Sequence, residues 1–489
     1  MTDMCQPAVT RTIAEFVVTA PVHPLDSAAE HMAVRAFIDT IAVAIAGAHE
    51  PVVSGTRNVL LPGAHQPNGE YGATLLTSGE KVPASQAAMI NGTAGHALDF
   101  DDHLSDVNGH PSVVLVPAIL ASAEENALSG AALLEAYVIG HQVMCAVASA
   151  LPVRPHWAHG WHATQTVGVI GVAAAIARLE GLTIGETRSA LGIAASMAAG
   201  SRQNCGFGVK PLHAGMAASN GLLAARYAAA GVDADPNQLE APLGYFHVFG
   251  LDSDLSKVDE VLAERWTVTT RGMNVKRYPA CYAVHPAGDA ALSLGSLDPI
   301  AIERIHITVQ PTGLTGPIHH RPVTGNQSKF SIEYTVAAAL VDGKLDLETF
   351  TDAHVSDPLI QSLIPKVTTA ESVEPPEGPA DYEKWYATVE VTTTDGRSSI
   401  ARMNMPHGYN TDPLTDDELD RKFVQCLQVP GTAWDATDML ARLKDLPHAT
   451  DVRDLLALAS RRNNTQIVGP LVAADSAPAP AHTPTTTHI

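Results

Sequence analysis

The chain has 489 residues, with 30 lysines and arginines against 52 aspartates and glutamates and a formal charge of -22. That length supports two domains and a large core, and the acidic balance opposes binding to nucleic acid or to anionic membrane surfaces. Hydrophobic residues at 46%, aromatics at 5% and abundant alanine point to closely packed helices. Cys5, Cys145, Cys205, Cys281 and Cys426 lie far apart with no CxxC pair, which argues against a disulfide framework or a zinc ribbon. The N-terminus lacks a basic start followed by an apolar run, so a cytoplasmic protein without a membrane partner is the expectation.

In chain order, residues 27–47 predict a helix, with Ser27 and Glu30 as a capping pair and Gly47 as its stop. A second helix follows Pro83, placed where a first-turn proline is tolerated, and ends near Asp99. Further helices are predicted over residues 131–151, 163–179, 183–199 behind the pair Thr183/Glu186, and 212–230. The most apolar run, "ATQTVGVIGVAAAIARLEGL", is broken by Arg178 and Glu180 and is too short for a membrane span. Beyond residue 265 the pattern changes. Residues 302–310 and 386–403 alternate with period two, the second with an Asp395-Gly396 hairpin signal, while 331–343 and 352–367 read as helices. Helix returns at 415–427, behind Thr415 and Glu418, and at 436–446. The expected fold is mainly α: a helical domain over 8–267, an α+β domain over 268–403, and a return to the helical domain over 404–465. Residues 466–489 lack the apolar content to fold and are expected to form a disordered tail.

Four stretches concentrate ionisable groups. In "ALDFDDHLSDVNGHPS", Asp99, Asp101, Asp102 and Asp106 join His103 and His110 just past a helix end. A helix C-terminus carries partial negative charge, so these acids need cations, hydrogen-bond donors or a metal beside them. "HWAHGWHATQT" sets His162 at a helix start, which disfavours its charged form and suits a neutral proton acceptor. In "SRQNCGFGVKPLHAGMAASNG", Gly206 and Gly208 allow unusual backbone angles and Lys210 precedes a helix, a receptor for a carboxylate or phosphate. The glycines match no nucleotide-binding fingerprint. "GMNVKRYPACYAVHPAGDAAL" supplies Lys276, Arg277, Cys281 and His285 near the predicted domain junction, a favoured place for a cleft.

Taken together, "LDFDD", "GHPS", "GWH", "KPLHAGMAASNG" and "KRYPACYAVHPA", in this order and spacing, resemble the MmgE/PrpD family over about residues 8–460. The resemblance implies a large helical domain with a smaller α+β lid, a homodimer, and a site between the domains faced by Asp99, His103, His110, His162, Lys210 and Lys276. It also implies a cofactor-independent lyase acting on a small di- or tricarboxylate, with no metal. In that reading Lys210 and Lys276 clamp carboxylates, with Arg277 or Arg202 in support and Cys281 and His285 nearby. His162 or His110 moves the proton, and Asp99 orients a histidine. Dehydration of a 2-methylcitrate-type substrate is the first expectation; decarboxylation of a cis-aconitate-type substrate, or epimerisation beside a carboxylate, are the alternatives. His103, where relatives often carry Thr or Tyr, and Cys281, where some decarboxylases carry His, depart from the pattern. Two rivals come from other classes: a Mg²⁺-dependent lyase using Asp99, Asp101, Asp102, Asp106 and His103, and a noncatalytic carboxylate-binding protein.

Overall fold

The computed structural model describes residues 8–62, 72–250, 252–373, 386–429, 432 and 434–457. The predicted tail at 466–489 lies outside them. Two apolar cores organise these residues. One gathers Val9 to Val275 and then Leu414 to Leu456, and the other runs from Tyr278 through Val391. The first is built mainly from helices, with one two-stranded ribbon, Ala73–Thr74 on Lys81–Val82, because its segments carry apolar residues at helical spacing and enough alanine for close approach. Two of its long members, Ser27–Ala46 and Gly130–Ala150, are buried over most of their length.

The helix starts follow hydrogen-bond logic. Thr183 and Glu186 form a reciprocal capping box, as do Thr415 and Glu418. At the helix Ser27–Ala46 the cap is Asp26 instead of Ser27, its carboxylate accepting from the amide of Ala29 at 3.0 Å. The predicted helix over 163–179 is two, Ala163–Thr166 and Gly168–Leu179. A buried helix not foreseen, Ser112–Glu125, begins directly after the acidic stretch.

The helices Ala84–Ala97 and Val209–Ala229 make the crossing that matters most for the site. Gly92 and Gly215 face each other there. A Cβ on Gly215 would lie 2.2 Å from Thr93 Oγ1 and 2.3 Å from the Met89 carbonyl oxygen, so only glycine permits this approach.

The second core packs helices His285–Ser293 and Ile332–Asp342 on a four-stranded sheet in the order Val367–Glu371, Ile302–Val309, Ala387–Thr393, Ser398–Met403. The Asp395-Gly396 turn joins the last two strands as expected, with Gly396 at φ 84. Residues 352–367 depart from the prediction of one helix: they form the short helices Asp352–Val355 and Pro358–Leu363, and at Val367 the chain enters a strand parallel to Ile302–Val309.

Candidate active site

Asp99 directly follows the C-cap of Ala84–Ala97 and turns the chain with φ 52, a left-handed conformation that aspartate tolerates better than most residues. Its carboxylate meets two ammonium groups. Lys210 Nζ, from the first turn of Val209–Ala229, is 3.0 Å from Asp99 Oδ1. Lys276 donates to the same oxygen and, at 2.9 Å, to the Asp99 carbonyl. Burial acts to raise the Asp99 carboxyl, but the two lysines overrule it and hold it well below the usual range. Burial also opposes the charge on Lys210, and Asp99 raises its pKa in return.

Asp99 therefore does not orient a histidine, as the sequence suggested; Asp101 does. His96 Nδ1 lies 2.9 Å from Asp101 Oδ1, and His110 Nδ1 lies 3.0 Å from Oδ2 and 2.8 Å from the Asp102 carbonyl. Both partners of His110 Nδ1 are acceptors, so this nitrogen carries the proton and a neutral His110 keeps its Nε2 lone pair. Burial acts to raise the Asp101 carboxyl, but the two histidines hold it well below its ordinary value, while burial pushes His96 down to about 3 and lowers His110. At His110 burial outweighs the opposing pull of Asp101, so the charged form is disfavoured.

His162 is the N-cap residue of Ala163–Thr166, and burial first, then Lys210, keeps it well below its ordinary pKa. His103 is tied by backbone hydrogen bonds of 2.9 Å in both directions to Asn274, two residues before Lys276. Its ring stacks on Tyr282 at 5.4 Å and meets His110 edge-on at 5.5 Å.

These groups border a cavity of about 560 Å³ lined from both cores. Asp99, His103, His110, His162 and Lys210 reach it from the helical side, and Cys281, Tyr282 and Phe330 from the other. Cys281 is half-buried, and desolvation raises its thiol pKa and leaves the group neutral. Sequence reasoning gave Arg202 only a supporting part, and the structure puts it on the wall. Its guanidinium lies 4.4 Å from the Trp157 ring centroid and donates to the Thr315 carbonyl at 3.1 Å. Trp157 was not foreseen at all.

Three predicted substrate-binding residues lie off the cavity wall. Lys276 is fully buried behind Asp99. Arg277 is half exposed and turns to Asp289 at 3.5 Å, and His285 is buried with Nε2 on the Ala280 carbonyl at 3.2 Å. Gly206 has φ 86 as the loop requires, but Gly208 has φ -59 and needs no special freedom. The Mg²⁺ set from the sequence is dispersed: Asp102 accepts from Ser112 and Asp106 pairs with Arg271 at 3.0 Å. His96, Asp99, Asp101 and His110 do present ligand atoms within 4.8 Å of one another. Two ammonium groups on Asp99 repel a divalent cation there, and both Asp101 oxygens already accept from histidines.

Residues 11–257 match the MmgE/PrpD N-terminal domain and residues 278–442 match the MmgE/PrpD C-terminal domain. The chain belongs to the MmgE/PrpD family. It is 27% identical over 392 residues to cis-aconitate decarboxylase of Homo sapiens, covering 78% of this chain and 79% of that protein. Against cis-aconitate decarboxylase of Mus musculus it is 28% identical over 364 residues, 70% and 72% of the two chains. Against the Aspergillus terreus protein named cis-aconitate decarboxylase it is 27% identical over 470 residues, 89% and 91% of the two. The chain is thus a lyase of the MmgE/PrpD type.

Proposed function

We propose that this lyase releases CO₂ from an unsaturated tricarboxylate of the cis-aconitate type. The observation that carries the reading is a cavity in which Lys210 and Arg202 supply positive charge beside three imidazoles, His103, His110 and His162, each shifted toward its neutral form by burial. Similarity to proteins named cis-aconitate decarboxylase favours CO₂ loss over the dehydration that the sequence put first.

The chemistry fits those residues. When a carboxylate leaves as CO₂, the electron pair of the broken C–C bond spreads through the double bond toward a remaining carboxylate, and a proton must then be delivered to carbon. Lys210 and Arg202 neutralise the remaining carboxylates and stabilise that electron-rich species through charge-assisted hydrogen bonds. An imidazole that draws a proton from solvent supplies the one added to carbon. His110 and His162 each have Nδ1 engaged by a neighbour, and the exchange falls to Nε2, which in His162 also meets Thr164 Oγ1 at 3.1 Å.

The test compares kcat/KM for cis-aconitate, citrate and 2-methylcitrate, with CO₂ release and product spectra followed together. Turnover of cis-aconitate with equimolar CO₂ supports the reading. Dehydration of 2-methylcitrate without CO₂ release from cis-aconitate would return the chain to the hydro-lyase alternative.

A further inference from the structure

The helix Val209–Ala229 delivers two groups to the site from one face. Lys210 reaches Asp99, and His213, one turn further on, reaches His162. The contact between the histidines is unusual in its atoms: His162 Nδ1 lies 3.1 Å from His213 Nδ1, with the rings tilted by 49°. One of the two nitrogens must carry the proton and the other must accept it.

The other end of the His162 ring shows which. Its Nε2 lies 3.1 Å from Thr164 Oγ1, and that oxygen accepts the backbone amide of His110 at 3.3 Å. With an N–H already donated into its oxygen, the hydroxyl is placed to aim its own proton at His162 Nε2. A neutral His162 then has a bare Nε2 and a protonated Nδ1, and His213 Nδ1 is the acceptor. The His213 proton sits on its Nε2. Burial and Lys210 push His213 down to about 4, so its ring is neutral near pH 7 and keeps the lone pair this arrangement needs.

We propose that His213 is the positioning residue for His162, its Nδ1 accepting the His162 Nδ1–H in both the neutral and the cationic form, so that every proton gained or lost by His162 passes through Nε2. In the cation, the Thr164 hydroxyl turns so that its oxygen accepts from Nε2–H, and Nε2 stays the nitrogen through which the proton is exchanged. When that proton is given up, the lone pair returns to Nε2 and Nδ1 has not changed. His213 thus acts on His162 as Asp101 acts on His110, with a neutral acceptor in place of a carboxylate. A neutral acceptor supports the imidazolium less than a carboxylate does, which makes His162 the stronger acid of the pair.

The local chain is shaped around this contact. The amide of His162 donates to the Gly200 carbonyl at 3.1 Å, and Gly200 has φ 107. A Cβ on Gly200 would stand 2.7 Å from Gln165 Oε1 and 3.5 Å from His213 Nδ1. The charged and titratable groups that face His162 are Lys210 and His213 on one helix, His96 on the helix Ala84–Ala97, and His110 from the acidic stretch. Among the described residues, only His213 hydrogen-bonds to its ring from another element.

The kinetic part of the test rests on the proposed decarboxylation, but the spectroscopic part does not. Full-length protein labelled with ¹⁵N at histidine, without substrate, reports the protonation of each ring nitrogen. The expected wild-type pattern for His162 is protonated Nδ1 and bare Nε2, retained in His213→Asn, whose amide oxygen can accept in place of Nδ1, and lost in His213→Ala. With cis-aconitate, His213→Ala should lower kcat on the order of 10²-fold with little change in KM, at the low end of what a positioned proton-transfer group contributes. The limb of the kcat profile that reports the imidazolium should move to lower pH, and His213→Asn should recover most of both effects. A proton on Nε2 of wild-type His162, an unchanged His162 pattern in His213→Ala, or an unmoved pH limb would each overturn the inference. A wild-type protein that releases no CO₂ from cis-aconitate would defeat the proposed reaction, and the ¹⁵N pattern would still decide the role of His213.

Discussion

At the scale of the residue, the four aspartates of residues 99–106 each have a different set of partners. Asp99 holds Lys210 and Lys276, Asp101 holds His96 and His110, Asp102 accepts from Ser112, and Asp106 meets Arg271. The sequence shows that acids and bases gather here, yet not who pairs with whom, because the partners of Asp99 and Asp106 arrive from positions more than a hundred residues away, while those of Asp101 and Asp102 are chosen among near neighbours by the fold of the loop. Asp99→Asn leaves two buried ammonium groups without their anion, and a loss of about 3–5 kcal/mol in urea unfolding is the expected result. Asp102 carries the opposite signature: burial raises its carboxyl to about 7. Its native pKa lies above the unfolded value of about 3.9, so the stability it contributes is full below pH 4 and is lost as pH rises through 7. Asp102→Asn, which resembles the protonated acid, should flatten the decline in unfolding free energy between pH 4 and 7; a decline as steep as that of the parent protein would refute the assignment. On the cavity wall, Lys210→Ala should lower kcat/KM by about 10² to 10³-fold. Arg277→Ala should leave it near the wild-type value, since Arg277 faces Asp289 and not the cavity.

At the scale of the element, capping chemistry and period were readable while long-range pairing was not. The boxes at Thr183 and Thr415 and the turn at Asp395-Gly396 are local, and each forms where its residues predict. The helix Ser112–Glu125 escaped notice because it is buried all round, so no polar face gives it an amphipathic period, and Pro117 inside it reads as a breaker. The strand Val367–Glu371 escaped because its five residues follow a helical run and gain their conformation from pairing with Ile302–Val309. Gly92 and Gly215 carry no sequence motif that announces a crossing, yet the crossing of their helices brings Asp99 within reach of Lys210. Gly215→Val should therefore destabilise the fold by about 1–3 kcal/mol or more through overpacking. Because the displaced helix also bears His213, kcat should fall in the surviving folded fraction, measured by thermal unfolding alongside single-turnover rates.

At the scale of the whole molecule, the site exists because two cores meet around one cavity. The helical core brings the acidic stretch, His162, Arg202 and Lys210, and the mixed core brings Cys281, Tyr282 and Phe330. Family resemblance named Asp99, His103, His110, His162, Lys210 and Lys276 as facing the site, and the cavity wall holds all of these but Lys276, whereas Arg202 over Trp157 needed three-dimensional placement to stand out as a cation of the wall. The central claim is that imidazoles beside fixed cations, neutral at rest and protonated from solvent at Nε2, deliver that proton to carbon as CO₂ departs. A single turnover of cis-aconitate by chelator-treated protein in D₂O, followed by ¹³C and ²H NMR, tests it most directly. The account predicts one CO₂ released for each molecule consumed and one solvent deuteron bound to carbon in the decarboxylated product. A hydrated tricarboxylate formed without CO₂, or a decarboxylated product without carbon-bound deuterium, would contradict it.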